Sequence, residues 1–300
     1  MHAESFNEKN KELDLYELFQ ILWNKKIYVI TISIIAAIIS IGISLYLPNT
    51  YTSKATLAPT ETEKSLYSQL GGLSAIAGFA DIGLSSDSAS KSQEALERVK
   101  SFEFFSKYFL PNVKLENVVA VKNWLSDSNT ITYNQTIYNS KTNQWLDKPS
   151  EQKAYSAFKK MLEISVDNKT SFITLSIEHK SPYLAKQWVD IIVHNINESM
   201  RELDIRNAKN SITFLNESTS STSVQSIREV IASLLERQMQ TLMLASSNAD
   251  YVWKTIDSSL VPELKSGPNR AFICIVGTLL GSMLSMIFVF ILHYRESQNN

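Results

Sequence analysis

The sequence predicts an α+β protein in which two transmembrane helices flank an α/β base that carries a long, extended helical hairpin. Two uncharged apolar runs, residues 27–47 and 271–292, predict the membrane helices. The residues between them, 48–270, are numerous enough to bury a hydrophobic core of their own. Within that stretch, a helical pattern of apolar residues continues from about 182 to 246. The chain therefore combines two membrane anchors with a separate folded domain.

The first apolar run has 21 residues without a charge, so as a helix it spans about 31 Å and matches a bilayer core of about 30 Å. The second run has 22 residues and also lacks charges. Helices of soluble domains are rarely apolar on every face over this length. The 26-residue leader carries five acidic residues, and no small-residue cleavage motif follows Leu47, so we expect a retained anchor rather than a signal peptide.

Basic residues near the ends of the runs predict the orientation of the chain. Five lie on the side of the two termini and three on the other side, which favours a cytoplasmic leader (1–26) and a cytoplasmic tail (293–300). Lys25 and Lys26, directly before the first run, are the expected topological determinants. Apolar residues at helical spacing predict an amphipathic helix within the leader.

The sequence of the first half of the domain predicts short helices and strands in mixed order. Alternation predicts a strand over Tyr51–Leu57, and a helical face predicts a helix from Gln93 to Leu110 that Pro111 ends. A short helix and a mobile loop are expected within 68–92. A strand is predicted over Ile131–Tyr138.

The second half begins with a helix over Glu151–Leu162 and a strand pair over Ile164–Ile177 that turns at Asn168–Lys169. The long helical region then starts at Pro182, with Ser181 as N-cap.

A serine- and threonine-rich run, 218–223, is the strongest break in the helical pattern, because hydroxyl side chains compete for backbone hydrogen bonds. Thr222 and Gln225 form a capping box for a second helix. We therefore expect a helical hairpin whose first arm of about 36 residues is about 54 Å long. One long helix bent at the serine run is the alternative. A strand over Tyr251–Asp257 is expected to return to the base.

Composition and motifs argue against catalysis. A net charge of −1 gives no electrostatic basis for binding nucleic acid, and the single cysteine, Cys274, lies in the second apolar run. Glycine-rich phosphate loops and nucleophile motifs are absent from the sequence, and the four histidines are scattered. We expect no enzyme activity, no cofactor and no metal. Four N-x-S/T sequons, among them the one at Asn197, are attributed to chance in a chain rich in asparagine and serine.

Each apolar run carries small residues at four-residue spacing, which places them on one helix face. Such stripes allow two helix backbones to approach closely in lipid. We expect them to form a helix–helix contact with a partner that the pattern does not identify. The residues are Gly277, Gly281 and Ser285 in the second run and Ala36, Ser40 and Ser44 in the first.

Four passages, in this order relative to the two runs, resemble the polysaccharide co-polymerase family, the Wzz-type chain-length determinants of bacterial surface polysaccharides. They are ELDLYELFQILWNKK, YTSKATLAP, LLERQMQTLMLAS and DYVWKTIDSSLVPELKSGPNR. The last is similar to the proline-containing juxtamembrane motif of the family, represented by Pro262, Pro268 and Arg270. The prolines around the second run are fewer than the family often shows, and residues 111–150 show no such similarity.

The resemblance implies a non-enzymatic regulator in the inner membrane of a Gram-negative bacterium. Its partners would be further copies of itself in a ring, a membrane polysaccharide polymerase, an undecaprenyl-linked glycan and the lipid bilayer, and residues 48–270 would be periplasmic. The family members with a fused tyrosine kinase carry a Walker loop and a tyrosine-rich tail. Eight residues follow the second run here, so the kinase-less O-antigen type is expected.

Three other functions are alternatives to this one. An inner-membrane component of capsule or exopolysaccharide export shares the spans and helices, and the sequence does not separate it from a length regulator. A two-span sensor needs an output domain that neither the leader nor the tail can supply. A membrane-anchored hydrolase needs clustered acids and aromatic residues in a cleft, which the sequence does not reveal.

Overall fold

Two compact units make up the chain in the computed structural model. One unit runs to Pro48 and resumes at Gly267, and it contains both apolar helices. The other unit, Asn49–Ser266, is a domain of mixed helices and strands. The predicted α+β class with an apolar helix towards each end is therefore confirmed. The residues that the structure describes are 23–60, 87–221, 224–247 and 250–299.

The amphipathic helix predicted for the leader lies outside the described residues, as does most of the short helix and loop predicted for 68–92. The described helices and strands follow in chain order. They are α1 (Lys26–Tyr46), β1 (Tyr51–Pro59), α2 (Asp87–Val99), α3 (Phe102–Phe104), α4 (Leu115–Val119), β2 (Val121–Leu125), β3 (Thr130–Tyr133), β4 (Tyr138–Asn139), β5 (Gln144–Trp145), α5 (Glu151–Met161), β6 (Leu162–Val166), β7 (Ile173–His179), α6 (Pro182–Ser221), α7 (Gln225–Ser247), β8 (Trp253–Asp257) and α8 (Arg270–Asn299).

The apolar unit consists of α1 and α8. The apolar part of α8, Arg270–Leu292, and the whole of α1 each have a mean hydropathy of 2.4 and are long enough to cross a bilayer. Both helices begin one residue before the predicted runs, at Lys26 and Arg270.

The base of the domain is a four-stranded antiparallel sheet in the order β6-β7-β1-β8. Its core-facing positions alternate along β1 and β7, so that Ala55 opposes Leu175 and Leu57 opposes Ile173, and all four side chains are buried. The strand predicted at 51–57 is therefore confirmed as β1, and the strand predicted at 251–257 is confirmed as β8.

The β6–β7 hairpin turns where the sequence predicts it. The Asp167 carboxylate accepts a hydrogen bond from the Lys169 N–H at 2.8 Å, which lowers the pKa of Asp167, and Ser171 closes the turn with a left-handed φ of 58°. The helix predicted just before this hairpin is also present as α5, and the Oγ of Ser150 caps it by accepting from the Lys153 N–H.

The single helix predicted from Gln93 to Leu110 is wrong. Helix α2 ends at Val99. The Oγ of Ser101 then accepts a hydrogen bond from the Phe104 N–H and caps the next short helix, α3. The chain continues as a π-helical turn and a 3₁₀ turn up to Asn112. The π-helical turn coincides with aromatic packing, since Phe105 and Phe109 are fully buried against Phe158.

The strand predicted over Ile131–Tyr138 is also wrong as one piece. Strand β3 ends at Tyr133, and the side-chain oxygen of Asn134 accepts from the Thr136 N–H, which turns the chain locally. Two small hairpins result, β2–β3 and β4–β5, and they occupy the region that resembles no family passage.

The long helical region is a hairpin, and not one bent helix. Helix α6 has 40 residues, about 60 Å, and ends at Ser221 within the predicted serine run, and α7 begins at Gln225; Thr222 of the predicted capping box lies outside the described residues. Helix α7 packs along α6 and returns to the base, because Tyr251 after α7 donates to Asp204 of α6 at 2.5 Å. The predicted core face of α6 is buried at Ala185, Trp188, Ile192 and Ile196, and Leu203 is half-buried.

Candidate functional site

The paired apolar helices form the first part of the candidate site. Their small residues face each other in an antiparallel register, with Gly277 opposite Ser40 and Gly281 opposite Ala36. A Cβ built on Gly277 would lie 2.3 Å from the Ser40 Oγ, and one built on Gly281 would lie 2.2 Å from the Ala36 Cβ. Both distances are far below the contact distance of about 3.5–4.0 Å between carbon atoms, so only glycine permits this approach.

A hydrogen bond between the two helices accompanies the close contact. The Ser40 Oγ donates to the Ile273 carbonyl oxygen at 2.9 Å, which satisfies the hydroxyl inside an apolar environment. Ser44 and Ser285, the remaining serines of the two stripes, are buried as well. The structure thus brings Ala36, Ser40, Gly277 and Gly281 together, and the role of this contact in function remains a proposal.

The other residues singled out by sequence lie close to the helix ends. Lys26 is the first residue of α1, and its Nζ lies 5.0 Å from the centre of the Trp23 ring. Lys25 is the N-cap residue of the same helix. Pro268 follows a cis peptide bond and precedes Arg270, the first residue of α8.

A buried amide fixes the base of the helical arm. The Asn197 side-chain oxygen accepts from the N–H groups of Val252 and Trp253, at 2.8 and 3.0 Å. Its amide nitrogen donates to the carbonyl oxygens of Trp253 and Val193, at 3.0 and 3.2 Å. Asn197 is therefore a structural residue that joins α6 to the start of β8, and its sequon is buried.

Further polar contacts hold the same junction. The Trp253 Nε1–H donates to the Ser92 Oγ at 3.0 Å, which ties α2 to β8. The Asp204 carboxylate accepts from Tyr251 and lies 3.2 Å from the Lys91 Nζ. Sequence reasoning missed this cluster. The signal for Asn197 is a polar residue on the apolar face of α6, between Ile196 and Met200.

A second polar cluster fixes the start of the arm at His179 and Lys180. The Nδ1 of His179 accepts from the Ser181 N–H at 2.9 Å, so the proton is on Nε2, which donates to the Asn117 carbonyl at 3.1 Å. Burial lowers the pKa of His179 and keeps the ring neutral. Burial also lowers the pKa of Lys180, whose Nζ donates to the Val121 carbonyl at 2.5 Å. These bonds join α4 and the first residue of β2 to the end of β7 and the residues just before α6.

A polar pocket of about 250 Å³ lies between α6 and the end of β8. The Asp190 carboxylate in its wall accepts from the Ser259 Oγ and pairs with Lys186, so its oxygens make structural bonds. Among the described residues, no group of three or more histidine, cysteine or acidic side chains is placed to hold a metal ion.

Several large apolar side chains are exposed along the arm. Exposed apolar side chains that lie together on a protein surface usually mark a contact with a partner. The exposed residues are Phe214 on α6, Val224 just before α7, and Ile227, Val230, Leu234, Met239 and Met243 on α7.

The fold and the helix pair define a class of protein in which two candidate membrane helices flank an α+β domain with a long helical arm. Residues 11–105 match the model of the Wzz family, described as chain length determinant protein. This match agrees with the family resemblance seen in the sequence and covers less than half of the chain. The matched residues include the first two of the four resembling passages, the leader and β1.

Several solved structures are similar to this chain at low identity. A full-length bacterial polysaccharide co-polymerase is 15% identical with a TM-score of 0.42, and the alignment covers 95% of this chain and 99% of that one. A fragment of WzzB, a polysaccharide co-polymerase from Salmonella Typhimurium, is 12% identical with a TM-score of 0.35, covering 73% and 99%. A mutant of WzzBSF, the Shigella flexneri lipopolysaccharide O-antigen chain-length regulator, is 11% identical with a TM-score of 0.27, covering 72% and 100%. No curated protein matches the chain.

Proposed function

We propose that this chain is a non-enzymatic inner-membrane regulator that sets the chain length of lipopolysaccharide O-antigen or of a similar lipid-linked polysaccharide. It acts as an oligomeric co-polymerase together with the membrane polymerase. The observation that carries the proposal is the family match over residues 11–105, which includes residues 11–26 of the leader, α1 and β1. A role without catalysis is consistent with the polar clusters of the domain, whose side chains bond to the protein itself.

The helix pair gives the proposal a physical basis. A regulator that acts on a polymerase inside the membrane needs a defined surface there, and a two-helix unit held by small residues and a hydrogen bond is more rigid than two independent helices. The exposed apolar side chains of the arm support assembly with further copies of the chain, because neighbouring arms can cover them. A single-protomer mass both in mild detergent and in lipid nanodiscs would contradict the assembly.

The decisive experiment is a glycan ladder gel from a deletion strain and from the same strain with the gene restored. We expect the deletion strain to make polymer without a preferred length, and the restored strain to regain the preferred length. Complete loss of surface polymer would contradict length control and would favour the alternative, an inner-membrane component of capsule or exopolysaccharide export.

Membrane orientation is tested separately by single-cysteine labelling. With both termini cytoplasmic, Ser220→Cys at the exposed end of α6 should react with a membrane-impermeant maleimide in intact spheroplasts, because the arm is then periplasmic. The native thiol is removed by Cys274→Ala. As a matched control, Arg295→Cys near the end of α8 should react only after lysis. The reverse pattern would overturn the orientation.

A further inference from the structure

The segment between β8 and the apolar unit exposes large apolar side chains. We call residues 258–266 the apolar loop. Within it, Leu260 is 73% exposed and Leu264 is 84% exposed, and Val261 is exposed as well. Among the residues of the domain that the structure describes, no large apolar side chain is more exposed than these two leucines. Such a concentration in nine residues differs from the single exposed apolar residues that are normal on a protein surface.

Hydrogen bonds hold the apolar loop in this position at both ends. At its start, Ser259 is buried and its Oγ donates to Asp190 of α6, while the Ser53 Oγ of β1 donates to the Leu260 carbonyl at 2.7 Å. At its end, the Ser266 N–H donates to the Thr50 carbonyl at 2.8 Å, and the Ser266 Oγ accepts from the Thr52 N–H at 2.9 Å. The leucines are therefore held outward by a fixed backbone.

The chain connections to α1 and α8 identify the surface of the domain on which the apolar loop lies. Thr50 follows the last residue of α1, Tyr46, by four residues, and Ser266 precedes the first residue of α8, Arg270, by four residues. Since Thr50 and Ser266 are hydrogen-bonded to each other, the chain leaves the domain for both apolar helices from one place. The apolar loop is directly continuous with that place.

We propose that the apolar loop inserts the side chains of Leu260, Val261 and Leu264 into the interfacial layer of the bilayer that α1 and α8 cross. This inference rests on the membrane anchoring of the proposed function. Amphipathic helices that lie in this layer bury their apolar face about 5–10 Å into the boundary between headgroups and acyl chains, and we expect a similar depth for the loop.

The charges of the apolar loop indicate what drives the insertion. Glu263 and Lys265 flank Leu264 and carry opposite charges, so the loop has no net attraction to anionic headgroups. Insertion is therefore carried by the apolar side chains. We expect it to be the same in bilayers with and without anionic lipid and to be insensitive to salt.

Fluorescence quenching in nanodiscs tests the proposal on the full chain. Leu264→Cys in the Cys274→Ala background is labelled with an environment-sensitive dye, and the bilayer of phosphatidylethanolamine and phosphatidylglycerol carries a lipid with a nitroxide near the top of its acyl chain. We expect blue-shifted emission and quenching at least about twice as strong as at the control position. The control is Leu146→Cys, which is 66% exposed and lies beside the β4–β5 hairpin.

A second control separates failure of this inference from failure of the proposed function. Ile38→Cys, 63% exposed on α1, reports whether the apolar helix itself lies in lipid. If the label at Ile38 is quenched and the label at Leu264 is not, the insertion is overturned and the anchoring stands. If neither is quenched, both fail. A label at Leu264 that is blue-shifted, resists the lipid nitroxide and transfers energy between copies would also overturn the insertion, because a second chain then covers the loop.

Discussion

Cells in which Gly277 and Gly281 are both replaced by leucine are expected to make glycans of random length, although the chain still inserts and its domain stays ordered. The first atom of each new side chain would already lie 2.3 Å from the Ser40 Oγ or 2.2 Å from the Ala36 Cβ, and leucine adds three more carbons. In each case the facing atom belongs to a short side chain that cannot move aside. The two helices must therefore separate.

Separating the two helices removes both their close packing and a hydrogen bond between them. Overpacking of this kind typically costs about 1–3 kcal/mol per site, and the two sites share one interface. It also breaks the hydrogen bond from Ser40 to the Ile273 carbonyl. Insertion itself depends on hydropathy, which leucine raises, so the protein should still reach the membrane.

Gly42 provides a matched control within the same unit. A Cβ built at Gly42 meets nothing within 4 Å, so Gly42→Leu adds the same side chain without touching α8. We expect Gly42→Leu to preserve the preferred glycan length and the double variant to lose it, at equal protein levels and equal protease resistance of the domain. A double variant with the normal preferred length would show that the close contact has no role in length control.

The sequence predicted those parts of the fold that depend on local pattern. The apolar helices, the first strand, the β6–β7 hairpin and the break in the arm each follow from hydropathy, alternation or side-chain capping within a few residues. The π-helical turn after Ser101 could not be predicted in this way, because it accompanies the packing of Phe105 and Phe109 against Phe158, more than 45 residues further along the chain. Long-range packing overrode a regular helical pattern there.

In the candidate site, too, the features set by local sequence pattern were predictable and the features set by long-range contacts were not. The small residues of the helix pair could be found because close packing in lipid needs a fixed spacing along one helix, which the sequence displays. The register that places Gly277 opposite Ser40 needs both helices and is not visible in either one. The structural role of Asn197 could not be predicted from the residues around it. Its sequon is visible in the sequence, but three of its four hydrogen bonds involve backbone groups more than fifty residues away, and the fourth involves a carbonyl one turn before it.

Asn197→Ala is expected to lower the free energy of unfolding of the domain by about 3–5 kcal/mol, among the largest effects of a single substitution. The substitution leaves the Val252 and Trp253 N–H groups and the Trp253 carbonyl inside the protein without the amide that pairs with them. Each orphaned buried group costs about 1–3 kcal/mol, and partial repacking or water entry limits the sum. The affected junction joins α6 to β8, so the arm should loosen from the sheet.

The measurement is denaturant unfolding of the full chain in detergent, followed by tryptophan emission, since the buried Trp253 lies at the altered junction. We expect a lower midpoint for Asn197→Ala and a red shift that precedes global unfolding. Asn207→Ala, an exposed asparagine on the same helix, is the matched control and should change the midpoint little, because surface substitutions usually stay within about 0.5 kcal/mol. Equal midpoints for the two variants would mean that the Asn197 amide does not hold the arm to the base.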